Sequence, residues 1–420
     1  MTFLYIDPGT GSVLVSVIIA FAAISYYYLK SFIYEKARSI FKRQAPIHKS
    51  HHRIVFYSEG GQYWPVFLPL IQELDRRDIN CTYFTSDRND PGLSTEFDNV
   101  VYSYIGEGHQ AYFALNRLQA DMVIMTTPGL DVLQLKRSKK VRHYCHIVHG
   151  LEDTSTYSPY GLDYYDSVLV NGEHQRDVIR QLEKARNVPA KEVRIIGSTY
   201  LDLMQEELAQ NQSSRLKLVQ DKDTVLLAPS WGEKGFLSRF GDVLIDKLLK
   251  SGFQIILRPH PQSWKSESAL LKRLKDNFSD HSNLVWDHNH HGLEAMRHSE
   301  IMISDFSGII YDYAFLFARP VIVIDFDIDP SKFDMNALPS KSSTLMKLIK
   351  NDKIGYRLSE SELGSIAEVI EKVKSSDCYS RQITQLKNSF YCFPGEAGQR
   401  GADFVEEVLN SLGQGVKKAE

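Results

Sequence analysis

Apolar residues follow two alternating rhythms along most of this chain. Short unbroken runs recur at Arg53–Ser58, Cys81–Thr85, Val100–Ile105, Met122–Thr126, His143–Val148, Ser167–Asn171 and Val193–Ile196. Between several of them, apolar residues fall three or four apart, as in Trp64–Leu74, Ala111–Leu118 and Gln175–Leu182. Unbroken runs suit strands covered on both faces, and the wider spacing suits helices covering them, so the pattern predicts a parallel sheet wrapped by helices. A polar stretch around Gln205–Asp223 interrupts the rhythm and reads as a surface helix and linker. The alternation then resumes, with strands expected at Thr224–Ala228, Phe253–Leu257, Leu284–Trp286, Ile301–Ile303 and Val321–Ile324 and a helix at Phe240–Lys250. From Ser359 to Leu412 the pattern is largely that of amphipathic helix.

The expected organisation is an α/β chain of two doubly wound, Rossmann-like domains facing a cleft. The first domain spans 51–205, a linker 206–222, and the second domain with C-terminal helices 223–412, followed by a short tail at 413–420. With 420 residues there is chain enough for two cores. In such folds ligands bind outside the carboxyl ends of the strands, so strand ends are where chemistry is expected.

The segment 1–50 differs in kind. No charge occurs from Pro8 to Leu29, and Val13–Leu29 is almost wholly apolar or aromatic. A run of about 20 such residues makes one bilayer crossing. Asp7 precedes it without any Lys or Arg, which disfavours a cleaved signal peptide despite Ala20-Phe21-Ala22. Lys30, Lys36, Arg38, Lys42, Arg43 and Lys49 follow. By the positive-inside rule these predict a single-pass anchor in the cytoplasmic membrane with the large domains in the cytoplasm, the basic stretch resting on membrane lipid.

A net charge of −3 offers no basic surface for nucleic acid. The four cysteines, Cys81, Cys145, Cys378 and Cys392, form no C-x-x-C pair, so neither a disulfide framework nor a zinc site is expected. His288, His290 and His291 sit in a polar loop without further ligands at useful spacing and read as surface residues rather than a metal centre. No G-x-G-x-x-G follows any strand.

Chemistry-bearing residues cluster at the strand ends. Ser304-Asp305-Phe306-Ser307-Gly308 joins the run Ile301–Ile303 to a helical pattern opening at Ile309 and containing Asp312. A strand feeding a helix through hydroxyls and glycine aims free N–H groups and a positive dipole end at one point, a seat for phosphate or pyrophosphate; an ordinary helix cap is the plainer reading. In Arg258-Pro259-His260-Pro261 the prolines stiffen the frame that presents Arg258 for a forked phosphate contact and His260 as an N–H or cationic donor. The alternative for Arg258 is a structural pair with a carboxylate. His149-Gly150 ends a strand where a histidine can act as general base or be a structural, hydrogen-bonded ring. Ser230, within Ala228-Pro229-Ser230-Trp231-Gly232, offers a hydroxyl, and Glu59-Gly60-Gly61 lines the acceptor side or simply turns. Gly197-Ser198-Thr199-Tyr200-Leu201-Asp202 shapes the interdomain edge or caps a helix.

In this order, His149-Gly150, Gly197-Ser198, Ala228-Pro229-Ser230-Trp231, Arg258-Pro259-His260-Pro261 and Ser304-Asp305-Phe306-Ser307 with Asp312, the sequence resembles the CDP-glycerol glycerophosphotransferase family, which makes teichoic-acid-like polymers. The resemblance runs from about Ile54 to Leu412. It implies a GT-B fold with no cofactor and no required metal ion. It implies transfer of glycerol phosphate, or a related polyol phosphate, from a CDP-activated donor to a hydroxyl on a membrane-linked glycan or polymer acceptor, with release of CMP. By resemblance His149 is the candidate base, Arg258 and His260 serve the donor phosphates, and Ser307 and Gly308 form the phosphate-binding helix start. The sequence departs from the family where a lysine is common after His-Gly, since Leu151-Glu152-Asp153-Thr154 follow. Tyr200 and Gly232 likewise stand where arginines are usual. Glu152 and Asp153 are then expected either to hold the imidazole or to contact polyol hydroxyls. Rival readings are a nucleotide-sugar glycosyltransferase of the same architecture, a sugar-nucleotide 2-epimerase, which would not need an anchor, and an inactive scaffold retaining the fold.

Overall fold

The computed structural model describes residues 50–210, 216, 218–219, 222–289, 292–325, 329–339, 341 and 353–417. The expected anchor with its basic stretch, part of the linker, His290 and His291 lie outside the described residues.

Seven parallel strands build the first sheet: β1 (His51–Ser58), β2 (Cys81–Thr85), β3 (Val100–Tyr104), β4 (Gln119–Met125), β5 (Val141–Ile147), β6 (Ser167–Val170) and β7 (Glu192–Ile195), ordered 3-2-1-4-5-6-7. Helices α1 (Trp64–Arg76), α2 (His109–Leu115), α3 (Glu173–Arg186) and α4 (Thr199–Ala209) accompany it. The second sheet has six parallel strands: β8 (Thr224–Ala228), β9 (Gln254–Leu257), β10 (Leu284–Trp286), β11 (Ile301–Ser304), β12 (Val321–Ile324) and β13 (Gly355–Leu358), ordered 10-9-8-11-12-13. Its helices are α5 (Phe236–Lys250), α6 (Ser263–Ser266), α7 (Ser268–Asn277), α8 (Leu293–Arg297), α9 (Ile309–Phe317), α10 (Ile366–Lys374) and α11 (Asp377–Phe390). Strands β8, β9, β11 and β12 are buried at every residue, which is why their sequences are apolar without alternation. Strand order reverses between β1 and β4 and again between β8 and β11, so each sheet opens a crevice at those strand ends.

Three features depart from expectation. The edge strand β13 carries an exposed Arg357 and shows no apolar run; it pairs so closely with β12 that a Cβ on Gly355 would lie 1.9 Å from the Val321 carbonyl oxygen. Helix α5 begins at Phe236 rather than Phe240, where the backbone kinks. The C-terminal helices do not all stay with the second domain. The last, α12 (Ala397–Lys417), returns to the first and buries Ala402, Phe404, Val405 and Val408 against Phe67, Leu70 and Ile71 of α1. Glycine lets it approach: a Cβ on Gly398 would sit 2.6 Å from the Pro69 carbonyl oxygen, an atom at α1's internal proline. Asp202 on α4 pins the crossing by accepting from Tyr391 Oη, from Gly395 N at 2.7 Å and from Ala397 N at 2.9 Å. The motif at 197–202 therefore both caps α4, through Ser198 Oγ and Leu201 N, and anchors the return.

Candidate active site between the two domains

The loop after β5 leaves its own domain at Leu151, whose side chain is 1% exposed within the second domain's core. This clamp brings His149, Gly150 and Glu152 against the carboxyl ends of β8, β9 and β11. There a cleft of about 520 Å³ is lined from the first domain by Gln62, Tyr63, His149, Glu152 and Tyr200, and from the second by Trp231, Arg258, His260, Lys265, Ser307, Gly308 and Asp312. Tyr200 packs on both cores and so joins the two walls.

His149 is flanked by Tyr63, edge-on with ring centroids 5.0 Å apart, and by Tyr157, stacked at 6.4 Å. Its Nδ1 is buried and has no hydrogen-bond partner. Burial lowers its pKa to about 4, so the ring is neutral at physiological pH. On the opposite wall the Gln262 backbone N–H donates to His260 Nδ1 at 3.1 Å. That contact fixes Nδ1 as the acceptor and leaves Nε2 as the N–H donor of the neutral ring. Burial, reinforced by nearby Arg258 and opposed by Glu267, holds the His260 pKa below its ordinary value. Arg258 is braced rather than loose: its guanidinium meets Asp287 at 2.6 Å and the Asn289 carbonyl at 3.0 Å, and passes close beneath Gly292. Of the two expected readings of Arg258, the carboxylate pair is present, and the side chain also lies on the cleft wall.

Several expected site residues are turned to structural work. Ser304 is fully buried and its Oγ donates to the Ala228 carbonyl at 2.6 Å, stitching β11 to β8 instead of lining the cleft. Ser230 N, Ser230 Oγ and Phe236 N all donate to Asp305, which ties the loop after β8 to the end of β11. Neither Ser230 nor Asp305 is among the residues that line the cleft. Asp153 is buried and caps the turn at Thr154–Thr156 through Ser155 N at 2.9 Å, so of the two acids only Glu152 lines the cleft. Gly60 and Gly61 form a turn, with Tyr63 N donating to the Gly60 carbonyl and Gly61 N to Asp87. The turn's effect on the site is indirect, since it delivers Gln62 and Tyr63 to the wall. Those two, with Lys265 on the one-turn α6, are lining residues the sequence did not reveal; the spacing of Lys265 five residues past His260 was the available signal. His288 lies against Trp264, ring centroids 4.4 Å apart, and among the described residues no group of three His, Cys, Asp or Glu is placed to hold a metal ion.

Comparison with known proteins places this geometry. The family model for CDP-glycerol:poly(glycerophosphate) glycerophosphotransferase matches residues 114–333, just over half the chain. No curated protein matches the chain in sequence. Among solved structures, the wall teichoic acid polymerase TagF (H548A) is similar at a TM-score of 0.57 and 16% identity, over 91% of this chain and 98% of that one. A UDP-GlcNAc 2-epimerase from Methanocaldococcus jannaschii, in complex with UDP-GlcNAc and UDP, is similar at 0.56 and 13% identity, over 86% and 99% of the two chains. The S. aureus MnaA–UDP structure reaches 0.58 at 12% identity, over 86% and 97%. At such identities these likenesses show the shared two-domain GT-B architecture alone. The matched family model, spanning His149 to Asp312, goes further: this chain belongs to the CDP-glycerol:poly(glycerophosphate) glycerophosphotransferase family, as a glycerophosphotransferase-like enzyme.

Proposed function

We propose that the cleft moves glycerol phosphate, or a related polyol phosphate, from a CDP-linked donor to a hydroxyl of a membrane-linked polymer precursor, releasing CMP. One observation carries this reading: a single cavity joins His149 of the first domain to Arg258, His260, Ser307 and Gly308 of the second. The acceptor oxygen attacks the phosphorus bearing the polyol, in line with the bond to CMP. That bond breaks with its electron pair going to CMP, and the hydroxyl proton passes to the neutral His149 ring. Phosphoryl transfer asks mainly for positioning and charge stabilisation. Arg258, the His260 Nε2–H and the first-turn N–H groups of α9 supply both without moving.

Among the described residues no helix is long and apolar enough to cross a membrane. The uncharged run Pro8–Leu29 is proposed as the anchor, with the basic residues after it on the cytoplasmic face beside anionic lipid. Attachment there would hold the cleft near a lipid-borne acceptor.

The test is nucleotide release. Purified protein is incubated with acceptor and CDP-glycerol, CDP-ribitol or UDP-sugars. CMP release that is lost in His149→Ala and His260→Ala supports the reading. Saturable UDP release with no response to CDP donors would replace it with a nucleotide-sugar glycosyltransferase, and no release from any donor would favour an inactive scaffold.

A further inference from the structure

One carboxylate stands where a phosphate is expected. A Cβ on Gly150 would lie 2.3 Å from Glu152 Oε2, and a Cβ on Gly308, at the start of α9, would lie 2.6 Å from the same atom. The carboxyl group thus fills a slot between the two domains that exists only because both flanking residues lack side chains. Its Oε2 is buried and accepts no hydrogen bond. A buried polar atom without a partner is costly, so this is not a settled structural contact.

We propose that Glu152 occupies, in the empty enzyme, the seat at the start of α9 that the donor's phosphate takes, so that this carboxyl must withdraw for donor to bind. The inference rests on the reading of the cleft as a CDP-polyol site. Glu152 would then set donor affinity and its pH dependence rather than contact the acceptor.

The charges around the seat give the direction of that dependence. On its own loop Glu152 has His149, Asp153 and Tyr157 as neighbours; Tyr63 precedes α1, Tyr311 and Asp312 stand on α9, and Tyr200 and Arg258 lie beyond Asp312. Arg258 is the one cation of this group, and Asp287 engages it. Burial pushes the Glu152 carboxyl above the usual carboxylate range, opposed by its own backbone N–H and reinforced by nearby Asp153. Burial and then Glu152 itself push Asp312 well above it. Low pH keeps Glu152 neutral, when it neither holds the positive helix end nor repels a phosphate. Rising pH ionises it, strengthening its grip on the seat and repelling the donor, so affinity falls as pH rises.

Calorimetric titration of the full chain in detergent tests this at pH 5.5 and 8.5. Two probes are used, CDP-glycerol and sulfate, whose charges do not change across that range. The wild type should bind CDP-glycerol roughly tenfold more weakly at the higher pH, the worth of one like charge a few ångströms away in a partly solvated site. Glu152→Gln removes the charge and Glu152→Ala removes charge and bulk. Both should bind about tenfold tighter than wild type at pH 8.5 and lose the slope. CDP-glycerol affinities and slopes equal to wild type in both variants would overturn the proposal while leaving the donor assignment intact. Weaker binding of both probes by the variants would also overturn it, showing Glu152 to be a ligand contact. Tighter sulfate binding with CDP-glycerol bound by no form would support the seat-holding role and sink the donor assignment instead.

Discussion

Asp305 is the residue whose loss should separate scaffold from chemistry. It is 1% exposed, and it receives Ser230 N at 2.9 Å, Ser230 Oγ, and Phe236 N at 2.9 Å. These bonds fold the loop that carries Pro229 and Trp231 to the cleft and start α5. Asp305→Ala strands two buried amide donors, at about 1–3 kcal/mol each, while the hydroxyl can turn elsewhere. The expected loss is about 3–5 kcal/mol. For a domain of this size each kcal/mol moves Tm by roughly 2–4 °C, so calorimetry should show a fall of about 10 °C. Asp305→Asn keeps one acceptor oxygen and should fall about half as far. Ser304→Ala gives up a single bond to the Ala228 carbonyl and should cost only about 1 kcal/mol. A Tm within about 2 °C of wild type for Asp305→Ala would refute the reasoning, because two buried amide donors cannot be orphaned at so small a cost.

Other outcomes follow from the same contacts. His149→Ala should lower kcat by about 10²–10⁴ while donor KM stays within a few-fold, since the proposed mechanism gives the ring proton transfer rather than donor binding; steady-state kinetics at saturating donor decides this. Arg258→Ala should destabilise the second domain by about 3–5 kcal/mol in urea titrations, because Asp287, fully buried, loses its guanidinium, whereas Arg258→Lys should cost markedly less. Acid stability should reflect His146 and His149, whose pKa values burial lowers to about 3 and about 4. An unfolded histidine titrates near 6.5, so between roughly pH 6.5 and 4 the unfolded chain binds more protons and stability falls as pH drops, by a few kcal/mol in all. The urea midpoint should decline across that window, and His146→Asn should flatten the decline.

Much of this architecture was legible because strands covered on both faces must be apolar throughout. Thr224–Ala228 and Val321–Ile324 could be bounded to the residue for that reason. Strand β13 escaped because an edge strand tolerates Arg357 in water. Helix α12 was legible as amphipathic, but an apolar stripe does not say which core it covers, and the crossing depends on Asp202, some 190 positions upstream. At the site, the motif at 304–308 located the helix start correctly, but only one of its two hydroxyls, Ser307, lines the cleft. Ser304 ends a buried strand and so points along the sheet, whereas Ser307 lies past the strand end and reaches the cleft. Composition near a turn does not distinguish these directions; strand geometry does.

The charge balance of the cleft then explains how an anionic donor can be held with the family's usual cations absent. Tyr200 and Gly232 replace two expected arginines, and Arg258 is matched by Asp287. Lys265 is a further cation on the wall, where Glu152 and Asp312 also stand. On the proposed reading, net positive charge is therefore not what would attract a pyrophosphate to this cleft. The remaining attraction comes from oriented dipoles, the His260 Nε2–H and the amide end of α9, which act most strongly where water is excluded. Dipoles of this kind favour an anion only when no ionised carboxylate competes for them. On the proposed reading, the upward pKa shifts of Glu152 and Asp312 would ease donor binding, and a site built this way should lose less affinity to added salt than one built on free arginines.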